Sequence, residues 1–71
     1  MVNFEELKAV MDDSGMTVTA IATKSGMLRE TLYNRFKGRG DFTANEIAGL
    51  SKALHLTPKQ RDNIFFSSEV E

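Results

Sequence analysis

The 71-residue sequence has no cysteine, one proline and one histidine. Without cysteine there can be no disulfide scaffold, no thiolate zinc site and no thiol nucleophile. No apolar run approaches the ~18 residues that a membrane span requires. Neither a G-x-G-x-x-G nor a Gly-Lys-Ser/Thr run occurs, and no histidine pair stands at metal-ligand spacing. The adjacent acids Glu5–Glu6 and Asp12–Asp13 point to different sides of any helix, so they do not make a two-carboxylate site. These absences point away from an enzyme, and no catalytic residue, metal or cofactor is expected. The opening MVNFEELKAV carries acids where a signal peptide would carry basic residues, so it is read as part of the fold of a cytoplasmic protein.

What is present is an ordinary globular composition, 41% hydrophobic and 27% charged. A chain of this length buries only about 60% of its unfolded surface and has room for one modest core, so residues 1–71 read as a single domain. The net charge of −1 conceals an uneven distribution. Residues 1–23 hold Lys8 against four acids, and residues 40–71 hold three basic residues against five acids. Residues 24–39 hold Lys24, Arg29, Arg35, Lys37 and Arg39 against Glu30 alone. Local potential, more than the overall sum, is what an approaching polyanion meets.

The periodicity is helical throughout, and no polar–apolar alternation persists long enough for a strand. Phe4, Leu7, Val10 and Met11 form one stripe of a helix over about 4–13, with Asn3 and Glu6 as a capping box and Val2 stapled onto Leu7. Thr17 caps a second helix over about 18–25, which Gly26 ends. A third runs over about 28–37 with Leu28, Leu32 and Phe36 on its apolar stripe, up to Gly38. Thr43 and Glu46 form a capping box for a fourth, with a buried stripe of Ala44, Ile47, Leu50 and Leu54. Gly49 sits in its middle, where it costs ~1 kcal/mol relative to alanine unless another helix approaches closely. Thr57, Pro58 and Gln60 open a fifth helix through about residue 66. Five short helices with tight connections imply an all-α bundle with non-parallel packing.

The stretch TVTAIATKSGMLRETLYNRFKG, residues 17–38, brings two short helices together at a turn containing Gly26, as in a helix-turn-helix. Ala22 is small where the helices cross, Ile21 and Leu32 supply apolar contacts, and Met27 plugs the turn. This segment resembles the helix-turn-helix of Cro and cI-type phage and bacterial repressors. The resemblance continues through FTANEIAGLSKALHLTPKQRDNIFF, residues 42–66, as in short prophage-encoded regulators. It covers about residues 3–66 and implies a five-helix lambda-repressor-like DNA-binding domain. In it, the helix beginning near Leu28 reads an operator in double-stranded DNA.

Carried over residue by residue, the resemblance implies base contacts from Arg29, Glu30 and Asn34, with Tyr33 beside them. Their chemistry is suited to base edges, since arginine grips guanine, asparagine pairs with adenine, and glutamate accepts from cytosine. Thr17, Thr19, Lys24, Lys37 and Arg39 are expected at phosphates. Two departures from the family pattern stand out. Leu28 occupies a capping position usually held by serine or threonine. Met11 and Phe36 occupy positions that often carry an arginine–glutamate pair, which sends Arg35 outward to a phosphate.

His55 reads as a helix C-terminal residue favoured by the helix dipole. Ile64, Phe65 and Phe66 exceed what one side of a terminal helix can bury, so they are candidates for a homodimer contact, the alternative being that both rings fold onto the core. The expected function is sequence-specific transcriptional regulation by a two-fold dimer on DNA. The rival is a helical protein–protein module, such as an antitoxin or anti-repressor that retains the fold.

Overall fold

Four of the five helices start on a side chain that accepts a hydrogen bond from the third residue of its helix. In the computed structural model, which describes residues 2–66, the helices are α1 (Phe4–Asp13), α2 (Val18–Ser25), α3 (Arg29–Phe36), α4 (Ala44–Ala53) and α5 (Pro58–Phe65). Asn3, Thr17, Thr43 and Thr57 are the four caps, at 3.1 Å in each case. Such a cap replaces water on an otherwise orphaned amide and stabilises a helix by ~1 kcal/mol. The boxes expected at Thr43–Glu46 and Thr57–Gln60 are both complete. The one expected at Asn3–Glu6 is half formed, because the Asn3 amide donates to the Ile64 carbonyl at 2.7 Å instead of to Glu6.

The exception is α3. Leu28 takes its N-cap position with extended backbone and offers no side-chain hydrogen bond. The apolar stripe expected to include Leu28 therefore starts at Leu32, since helical periodicity does not reach a residue outside the helix. Leu32 is fully buried whereas Leu28 is 72% exposed.

One core joins the helices: Leu7 and Met11 from α1, Ile21 and Ala22 from α2, Leu32 from α3, Leu50 and Leu54 from α4 and its end, and Ile64 and Phe65 from α5. Full burial of each leucine or isoleucine contributes about 1.5–3 kcal/mol. Two aromatic pairs close the margins, Phe4 with Phe36 at 5.6 Å and Phe42 edge-on to Phe65 at 5.3 Å between ring centres. The fourth-helix stripe is narrower than expected, with Ala44 exposed and Ile47 half-buried.

The most extensive helix–helix packing is α2 on α4. Gly49 makes it possible, since a Cβ there would collide with the Ser25 carbonyl. Ser25, buried at this crossing, satisfies its hydroxyl by donating to the Ile21 carbonyl at 2.7 Å. At the end of α2 the backbone turns sharply. Gly26 adopts φ 77°, and the amides of Gly26 and Met27 reach back to the carbonyls of Thr23 and Ala22 at 3.2 and 2.9 Å. This reversed cap needs a left-handed residue, which glycine supplies without a Cβ clash. Only Gly26, Met27 and Leu28 separate α2 from α3. Among the described residues no strand occurs, and no helix is long and apolar enough to cross a membrane.

Candidate nucleic-acid interface

Helix α3 has two faces set by its sequence. Leu32 anchors one side in the core, with Phe36 half-buried next to it. The opposite side carries Arg29, Glu30, Tyr33, Asn34 and Lys37, which together with Arg39 line one shallow concavity. Helical spacing explains the grouping, because positions i, i+1, i+4, i+5 and i+8 lie within one arc. All four residues expected to touch bases are therefore on one face, with Lys37 and Arg39 at its far end.

Arg39 lies beyond the helix and is brought back by the chain. Its amide donates to the Asn34 carbonyl at 2.8 Å, and Gly38 makes the turn at φ 79°. Near the other end the Arg29 guanidinium carbon lies 5.1 Å from the centre of the Tyr33 ring. A cation over an aromatic face is worth about 0.5–1 kcal/mol at an exposed site, enough to bias the side chain's direction. Among the described residues, Arg29, Lys37 and Arg39 enter no ion pair. The face thus presents three cations against Glu30.

Arg35 departs from expectation. It does not point outward to a phosphate but turns back onto α4, with Nε and Nη2 donating to Glu46 Oε1 and Oε2 at 3.0 and 3.1 Å. Its Nη1 donates to the Arg39 carbonyl at 3.2 Å. Both side chains are largely covered, 19% exposed for Arg35 and 16% for Glu46. The hydrogen bond from Arg35, helped by the Thr43 amide, holds the Glu46 carboxyl below its ordinary value against the opposing effect of burial. The same bond raises Arg35. Arg35 is a brace between α3 and α4, and the guanidinium that composition counted toward the basic stretch is neutralised.

The remaining expected phosphate contacts lie on or just before α2. Thr17, Thr19 and Lys24 are exposed and stand outside the concavity. The Thr17 hydroxyl oxygen is occupied in capping the Ala20 amide. Met11 and Phe36, at the positions where the resemblance would put an arginine–glutamate pair, line a common apolar cleft with Met16 and Val18. The dimer candidates divide: Ile64 and Phe65 are buried within the core and unavailable to a partner, while Phe66 is 58% exposed.

Sequence reasoning missed two features, the Arg35–Glu46 brace and the exposure of Leu28. For the second a signal existed, since leucine in a capping position is no part of a helical stripe. Comparison of the chain with protein-family models, curated proteins and solved structures finds no match.

Proposed function

We propose that the chain is a sequence-specific double-stranded DNA-binding protein, a small transcriptional regulator of the Cro and cI type, with α3 as its reading helix. The observation that carries this reading is the concavity on α3. Three cations without ion-pair partners among the described residues, a carboxylate, an amide and a phenol converge there on a helix held by its opposite side. Arginine at guanine O6 and N7, asparagine at adenine N6 and N7, and glutamate at cytosine N4 give Arg29, Asn34 and Glu30 distinct bases to read. Lys37 and Arg39, with Lys24 on α2, would grip flanking phosphates. Occupying an operator would block polymerase sterically.

A two-fold dimer would set two copies of α3 ~34 Å apart in successive major grooves. Exposed Phe66, with Ile47 and Leu56 in the adjoining groove between α4 and α5, supports a contact between copies. The test is selection of bound sequences from a random duplex pool. A palindromic consensus is expected, and failure to enrich any sequence overturns the reading. The same apolar groove favours the second reading, a protein–protein module, for which affinity for the partner would respond weakly to salt.

A further inference from the structure

Leu28 stands at the tip of α3, immediately before Arg29, and is the most exposed large hydrophobic residue of the described chain at 72%. It is also the only helix cap of five without a capping hydrogen bond. Serine, threonine, asparagine or aspartate there would stabilise the helix, as Asn3, Thr17, Thr43 and Thr57 do for the others. Leucine gives up that contribution and leaves apolar surface in water. A local rule broken at one position and kept at four marks that position as one where stability yields to function.

The surroundings narrow what Leu28 contacts. Leu28 does not itself line the concavity, but it stands one residue before Arg29, which does, at the helix end that enters a groove first. In the major groove one apolar group lies among the hydrogen-bonding edges, the C5-methyl of thymine. We infer that Leu28 is a specificity-determining residue that packs on a thymine methyl at the position in each half-site next to the pair read by Arg29. This inference rests on the DNA-reading proposal and adds to it an aliphatic contact at the helix tip, beside the polar side chains and the Tyr33 ring of the α3 face.

The experiment uses the full chain and the duplex it selects from a random pool, with thymidine replaced by deoxyuridine one position at a time. Uracil keeps every hydrogen bond and removes only the methyl. Burial of one methyl-sized group corresponds to about four-fold in affinity. One position per half-site should therefore lose about four-fold on replacement with the wild-type protein, and Leu28→Ala should bind both duplexes alike. Leu28→Ser, which restores a capping side chain, should also lose the discrimination while raising the melting temperature by about 4–8 °C. A loss of affinity through unfolding is thereby separated from loss of the contact. If the selected duplex binds specifically but uracil has no effect at any position, or Leu28→Ala still discriminates, the inference fails and the DNA reading stands. Failure to select any duplex removes both. Should Leu28→Ala release a protein partner while leaving thymine discrimination intact, the inference is overturned in favour of a protein contact.

Discussion

Arg35 and Glu46, eleven positions apart and on different helices, meet through two parallel hydrogen bonds. Glu46 Oε1 also accepts the Thr43 amide at 3.0 Å, so one carboxylate caps α4 and holds the last turn of α3. The loop between the helices is thereby fixed at both ends. Arg39, whose carbonyl accepts from Arg35, is fixed with it.

This pair makes stability depend on pH in a defined direction. The Glu46 carboxyl titrates below its ordinary value near 4.5 in the folded protein. A depressed carboxylate stabilises the fold above its unfolded pKa, and that contribution is lost as pH falls through the folded value. The melting temperature should therefore drop as pH is lowered from about 4.5, and Glu46→Gln should lower it at pH 7 while flattening the acid decline. Thermal unfolding followed between about pH 3 and 7 checks both. An unchanged acid decline in Glu46→Gln would assign it to other carboxylates.

Arg29 and Arg35, both arginines of α3, should behave differently when each is changed to alanine. Arg29→Ala should lower affinity for the preferred duplex about 5- to 150-fold and relax the preference at one base pair per half-site, with a far smaller effect on non-specific duplex. Arg35→Ala should reduce thermal stability and leave the base preference alone. Titration of both variants against specific and scrambled duplexes distinguishes the roles. Identical profiles would mean that Arg29 reads no base.

Salt dependence should reflect the cations left free. With Lys24, Lys37 and Arg39 each neutralising a phosphate, log affinity should fall against log salt with a slope near −3 per subunit. Arg39→Ala should flatten the slope by about one unit, and Arg35→Ala by none. A slope near zero would exclude DNA as the partner.

Gly49→Ala sets two effects against each other. Alanine is favoured over glycine within a helix by ~1 kcal/mol, but its Cβ would meet the Ser25 backbone, which cannot swing aside. Overpacking should prevail, at a net loss of about 1–3 kcal/mol by chemical denaturation. Ala48→Gly, one residue earlier and exposed, should cost ~1 kcal/mol from propensity alone. Greater stability in Gly49→Ala would show that α2 and α4 separate readily.

Much of the helical layout is legible in the sequence because its signals are local. Thr17, Thr43 and Thr57 announce helix starts within three residues, and Gly26 announces an end through its own backbone. The grouping of Arg29, Glu30, Tyr33 and Asn34 follows from helical spacing once α3 is recognised. Arg35–Glu46 was not legible, since the two residues lie across a loop and no periodicity links their positions. The exposure of Leu28 was hidden for a different reason: its spacing from Leu32 mimics a stripe, while its backbone is extended. Ala44 lies in the first turn of α4, where its side chain projects past the edge of the core and into solvent.

The hydrogen bond from the Asn3 amide to the Ile64 carbonyl gives the backbone the character of a circuit. The chain leaves α1, passes through every other helix and returns to within one bond of where it set out. Helix order along the polymer and helix arrangement in space are then separable properties. A short peptide bridging residues 66 and 2, with the chain reopened at the exposed turn around Gly15, would thread the same five helices in a new sequence around the same core. The α3 face would be carried through that rearrangement unaltered, because nothing that shapes it crosses the joint.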